Sequence, residues 1–197
     1  MYLFLMKIIS NMKTLVIHPS DSSTSFLTPI YSNIPTEELT LITGGISKAE
    51  LIELVKTHET IMGLGHGSTE GLCALGQFSC IGYADFIIDR QLVPYLNNKK
   101  VISIWCYAQE FIAASNLKNV YTSNMFCSEV IECDYVGLKH ANQAMVDESN
   151  FIFGITLGKF IHLNPQEIHE AMQKSEYAAL VKSNIVAAYN MERLSYK

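Results

Sequence analysis

The feature that most constrains this chain is a series of short apolar runs with no polar alternation, separated by helix signals. The runs are Lys13–His18 (KTLVIH), Leu39–Thr43 (LTLIT), Thr60–Leu64 (TIMGL) and Val101–Trp105 (VISIW). A strand with one wet face alternates apolar and polar residues, whereas a strand covered on both faces is apolar throughout. Ser47-Lys48-Ala49-Glu50 is a capping box, and it opens a helix that carries Leu51, Leu54 and Val55 at helical spacing to about His58. Strands that alternate with helices predict a mostly parallel sheet with helices on both faces.

The remaining segments fill in this pattern. Leu72–Leu75 and Phe78–Tyr83 are short runs around Gly76-Gln77 and are expected to pair as a hairpin. Asp85–Leu96 reads as a helix with Pro94 near its end, Tyr107–Asn116 as a helix, and Val120–Phe126 as a fifth strand. From His140 onward the chain reads as helical. Asn164-Pro165-Gln166-Glu167 there is a helix start, with Asn at the N-cap and Pro at the first helical position. The expected fold is an α/β, three-layer α/β/α sandwich with a helical C-terminal tail. Residues 13–197 form one domain, of which 140–197 is mainly helical.

Composition narrows the classes. The chain has 197 residues, 49% apolar and 17% charged, which suits one globular domain and not a disordered chain. Its net charge of −5 and the lack of any Lys/Arg cluster argue against a nucleic-acid partner or an anionic membrane. Met1–Ser10 is apolar but too short to span a bilayer, and it lacks the basic start of a signal peptide. Residues 1–12 are therefore read as an N-terminal extension, and Met12 is an alternative start. The five cysteines (Cys73, Cys80, Cys106, Cys127 and Cys133) are odd in number and show no disulfide spacing, so they read as reduced thiols of a cytoplasmic protein. Zinc would need a spacing such as C-x2-C, which is absent, so neither metal nor cofactor is expected.

In an open parallel sheet, functional groups gather beyond the carboxyl ends of the strands. Strand three runs into Gly65-His66-Gly67-Ser68, and strand four ends at Cys106. Consecutive strands are usually neighbours, so His66 and Cys106 are expected side by side. Alone, Cys106 would read as a buried structural cysteine and His66 as a turn histidine; together they read as a thiol and the imidazole that takes its proton. The Gly67 N–H, with no side chain to obstruct approach, and the Cys106 N–H are candidate oxyanion donors. His18 reads as structural and Trp105 as core packing beneath the site. Glu110 and Asp85 are the carboxylates considered for orienting His66.

Ile61–Ser68 resembles the apolar-strand-then-His-Gly signature of the caspase, legumain, clostripain and gingipain superfamily of cysteine peptidases. Val101–Cys106 resembles that superfamily's second signature, an apolar strand ending in the nucleophile. The likeness covers about residues 13–130. It implies a caspase-like sheet, Cys106 as nucleophile, His66 as general acid/base, Gly67 as oxyanion donor, and a peptide or protein substrate. By the same resemblance Ser68, Ser128 and Glu129 are assigned to substrate binding. Ile104, Trp105 and the Tyr107-Ala108-Gln109-Glu110 run depart from the better-known branches. A catalytically inactive caspase-like interaction module thus stays open as the alternative. A glutamine-amidotransferase-like hydrolase fits less well, because Ile104 and Ala108 stand where that elbow needs glycine. Oligomeric state is left open.

Overall fold

A computed structural model describes residues 13–78 and 85–197. The N-terminal extension, Cys80 and most of the second expected hairpin run lie outside the described residues. Nine strands and eight α-helices follow one another in the described chain. The main sheet has six strands in the order β2-β1-β3-β7-β8-β9. These are β1 (Thr14–Ile17), β2 (Leu39–Ile42), β3 (Thr60–Leu64), β7 (Lys100–Ile104), β8 (Val120–Ser123) and β9 (Leu194–Tyr196). The first five are mutually parallel, and β9 joins β8 antiparallel with Tyr121 opposite Tyr196.

The apolar runs are explained by cover on both faces. Successive side chains of a strand point to opposite sides. Leu15, Ile17, Ile61, Val101 and Val120 pack on one face with Leu51 and Val55 of α1 (Lys48–Thr57) and Phe111 and Ile112 of α3 (Ala108–Ser115). Val16, Met62, Leu64, Ile102 and Ile104 pack on the other with Phe153 and Leu157 of α5 (Gln143–Phe160) and Ile168 and Met172 of α6 (Pro165–Met172). Helices α7 (Glu176–Leu180) and α8 (Ile185–Met191) complete that side through Tyr177, Ala187 and Met191. This is the three-layer α/β sandwich expected from the pattern. Among the described residues no helix is long and apolar enough to cross a membrane.

Local expectations fail where tertiary partners decide. Residues 85–96 are not one helix. Phe86–Ile88 is a strand, β6, which pairs antiparallel with β5 (Gly71–Cys73), and β5 pairs in turn with β4 (Gly67–Ser68). Ile87 and Ile88 are buried there. Asp89 then closes a turn by accepting the Gln91 N–H at 3.0 Å. Pro94 begins the short helix α2 (Val93–Leu96) instead of ending a long one, because a helix start needs no proline N–H. The hairpin partner of Leu72–Cys73 is therefore β4 on one side and β6 on the other, while Phe78 closes a short 3-10 turn. Strand β8 stops at Ser123, short of Phe126, because Asn124 turns its side chain back onto the Met125 N–H. Helix α4 (Val130–Tyr135) and strand β9 lie in segments without a clear local signal.

The polar stretch after β1 is not a plain loop. Ser22–Ile30 is a 3-10 segment capped by Asp21. It packs against α5, and the two backbones meet at glycines. A Cβ at Gly154 would stand 2.6 Å from the Phe26 carbonyl oxygen, and one at Gly158 would stand 2.7 Å from that of Pro29. Gly154→Ala is thus expected to destabilise the fold by about 1–3 kcal/mol, since overpacking outweighs the roughly 1 kcal/mol gained in helix propensity. Urea unfolding measures it. A variant more stable than the parent would show that the segment can shift freely.

Candidate active site

His66 follows β3 and Cys106 follows β7, and β3 and β7 are hydrogen-bonded neighbours, with Leu64 opposite Ile104. The Gly65 N–H donates to the Ile104 carbonyl at 3.0 Å, so the register continues to the edge of the site. His66 and Cys106 line one small cavity together with Gly65, Trp105, Phe126, Ser128 and Glu132. Its volume of about 20 Å³ leaves room for a single water.

Cys106 lies between the end of β7 and the start of α3. Tyr107, at φ 65°, makes the sharp turn into the helix. Ser123 Oγ donates to the Trp105 carbonyl at 3.0 Å and pins the backbone just before the thiol. The half-buried Sγ–H donates to the Phe126 carbonyl at 3.6 Å, within the reach of a sulfur donor. Burial pushes this thiol up to about 11, and the Glu132 carboxylate adds to the shift. In the free protein Cys106 is accordingly a neutral thiol.

His66 is oriented by neither Glu110 nor Asp85. Glu110 accepts from Asn124 Nδ2 at 2.9 Å, and Asp85 contributes its backbone carbonyl to Ala74. The orienting group comes instead from the 3-10 segment. Ser23 Oγ lies 2.7 Å from His66 Nε2 and donates its own proton to the Asp21 carboxylate. The Ser23 N–H also donates to Asp21 at 2.8 Å. These bonds from Ser23, side chain first, hold the Asp21 carboxyl below its usual range. Because the hydroxyl proton is committed to Asp21, the Ser23 oxygen accepts from Nε2–H. The Nδ1 nitrogen of the neutral ring then carries the lone pair. The relay Asp21–Ser23–His66 thereby leaves Nδ1 as the open acceptor of the neutral ring.

Gly67 is placed by close approach. A Cβ there would stand 2.1 Å from Trp105 Cδ1, so only glycine lets Trp105 lie flat beneath the His66 loop. Trp105 is 2% exposed and donates through Nε1 to the Ser68 carbonyl at 3.3 Å. The Cys73 N–H bonds to the His66 carbonyl, which makes His66–Cys73 a hydrogen-bonded pair. The next pair, Gly67–Leu72, is then a non-bonded one, and the Gly67 N–H points away from β5. Neither Gly67 nor Ser68 is among the residues lining the small cavity, and Ser68 Oγ accepts the Glu70 N–H at 3.1 Å within its own turn. Ser128 does line the cavity. Glu129 instead lines a larger groove of about 390 Å³ that shares Phe26 and Ser128 with it.

His18 is structural. It is buried, with Nδ1 3.0 Å from the Tyr31 hydroxyl and Nε2 3.2 Å from the Thr24 carbonyl, and burial lowers its pKa. It fixes the segment that carries Ser23. Cys127 and Cys133 are buried free thiols, and no cluster of metal-ligating side chains occurs among the described residues.

Asp21, Ser23, Phe126 and Glu132 were not singled out from the sequence. A signal existed for the first two, because the Asp21–Ser25 run also follows the carboxyl end of a strand next to β3. None existed for the Phe126 carbonyl, a backbone atom twenty positions from the thiol it holds. Comparison with family models, with curated proteins and with solved structures returned no match.

Proposed function

We propose that this chain is a cysteine peptidase-like hydrolase that cleaves peptide bonds with Cys106 as nucleophile and His66 as general acid/base. The observation that carries the reading is the shared cavity: Cys106 and His66 face it from adjacent parallel strands, and the relay leaves His66 Nδ1 unprotonated. A peptide carbonyl brought over Sγ draws the thiol proton to Nδ1 as the sulfur–carbon bond forms. The oxygen takes the negative charge, for which the Cys106 N–H is the proposed donor, since Gly67 does not line the cavity. The tetrahedral adduct collapses, His66 returns the proton to the leaving amine, and water hydrolyses the thioester. Because the cavity is the size of one water, substrate entry requires the Asn124–Glu129 loop to part from the 3-10 segment. The four described cysteines are free, which suits a reducing cytoplasm.

The raised thiol and the near-closed cavity favour a second reading, a catalytically inactive interaction module. A fluorogenic peptide library separates the two. The peptidase reading expects cleavage that Cys106→Ala abolishes and that His66→Ala lowers by about 10²–10⁴-fold. Ser23→Ala is expected to cause a smaller loss with an altered pH profile, because the His66 tautomer is no longer held. A library screen without any Cys106-dependent cleavage leaves only the interaction module.

A further inference from the structure

The main sheet carries a row of polar groups at its other end. Thr14 opens β1, Thr60 opens β3 and Lys100 opens β7. The register sets Thr14 beside Thr60, and Thr60 beside Lys100. Residues aligned across parallel strands share a face of the sheet. Two positions further on, Val16, Met62 and Ile102 pack on the α5 side, so the row faces that side as well. All three residues line a cavity of about 360 Å³ between the sheet and the end of α5.

Each group of the row has hydrogen-bonding capacity left over. Thr14 is 8% and Thr60 4% exposed, and neither hydroxyl has a partner among the described residues. Neither hydroxyl is sealed from solvent, so the little surface each keeps opens on the cavity it lines. The half-buried Lys100 ammonium has three donors. Two reach the Ile161 and Leu163 carbonyls at 2.7 and 3.3 Å, and the third is left for a ligand. Burial lowers the pKa of this lysine, and no neighbouring carboxylate offsets the shift. A desolvated ammonium without a counter-charge gains most from an anion.

The rest of the lining selects among anions. Ile34, Pro35, Met62 and Ile161 give the cavity an apolar wall. Lys159 is already paired with Glu176 at 2.9 Å, and His162 lies exposed at the rim. Glu38 also lines the cavity, and its charge opposes a doubly negative group. We infer that this cavity binds a monocarboxylic acid with an apolar body, its carboxylate on Thr14, Thr60 and Lys100 and its hydrocarbon against Met62 and Ile161. The site is apart from Cys106, which follows the carboxyl end of β7, and it does not rest on the peptidase reading.

The test titrates full-length protein with sodium octanoate, octanamide and sodium acetate, read by NMR on the amide signals. Octanoate is expected to saturate one site, with shifts centred on Thr14, Thr60 and Lys100. It is expected to bind about tenfold or more tighter than octanamide, which has the same body and no charge. Acetate, which lacks the body, is expected to bind at least about tenfold more weakly than octanoate. Thr14→Val with Thr60→Val keeps the shape of both side chains and removes both donors. This double variant is expected to bind octanoate about tenfold more weakly at unchanged or higher thermal stability, because the hydroxyls removed have no partners to lose. Octanoate binding no tighter than octanamide, shifts centred elsewhere, or full affinity in the double variant overturns the inference. Octyl phosphate binding more tightly than octanoate overturns the assignment to a carboxylate.

Discussion

Iodoacetamide is expected to label Cys106 roughly 30-fold more slowly than a free cysteine at pH 7, at a rate that climbs about tenfold per pH unit toward pH 11. The cause is the burial that pushes the thiol up to about 11. Only the thiolate reacts. At pH 7 its fraction is about 10⁻⁴ for such a group, against about 3% for an ordinary cysteine near 8.5. That is a deficit of about 300-fold, and the greater intrinsic nucleophilicity of a high-pKa thiolate recovers roughly tenfold of it. The sign is unambiguous: raising pH raises the rate, and Glu132→Gln raises it at fixed pH by removing a carboxylate that opposes ionisation. Mass mapping of the labelled peptide isolates Cys106 from the other thiols, and the urea-unfolded chain supplies the reference rate. Fast labelling that is flat from pH 5 to 7 would instead reveal a preformed thiolate–imidazolium pair. The neutral thiol predicts that His66 acts during attack and not before it.

Asn190→Ala is expected to lower stability by about 2–5 kcal/mol and the melting temperature by roughly 6–15 °C. Asn190 is fully buried on α8 and binds one residue twice. Its Oδ1 accepts the Cys127 N–H and its Nδ2 donates to the Cys127 carbonyl, both at 2.8 Å. Truncation leaves a backbone donor and acceptor buried without partners, each at a cost of about 1–3 kcal/mol. The effect reaches the site, because Cys127 follows Phe126, whose carbonyl holds the Cys106 thiol. Asn150 holds the next residue, Ser128, from α5. The helical tail thus clamps the loop that closes the cavity. In Asn190→Ala, Cys106 labelling is expected to quicken even at temperatures where the variant is fully folded. Unchanged labelling in a destabilised but folded variant would show that Asn190 supports the helices without controlling the loop.

Some of this was open to reading from residues in order, and some was not. The apolar runs TLVI, TIMGL and VISI became buried parallel strands because cover on both faces removes any need for polar alternation. The capping box at Ser47/Glu50 and the helix start at Asn164-Pro165 formed as read, since a cap uses groups within four residues. Asp85–Leu96 was misread because a three-residue strand has too little periodicity to compete with a helical pattern. What makes Phe86–Ile88 a strand is the edge of β5, where Gly71 lets the Ile88 carbonyl approach to 1.9 Å of where a Cβ would stand. Ser68 Oγ accepts the Glu70 N–H within its own turn, a contact that spans only two residues.

The five parallel strands of the main sheet and the strand ends on which His66 and Cys106 stand were legible in the sequence alone, because burial pattern, caps and chain order are local properties. What the thiol is in its resting state was decided only by the tertiary structure. The Phe126 carbonyl that holds it comes from 20 residues away, the Ser23 hydroxyl that sets the His66 tautomer from 43, and the Asn190 amide that clamps the covering loop from 63. Ionisation and tautomer depend on desolvation and on which hydrogen-bond partners converge at one point in space. No spacing along the chain encodes that convergence.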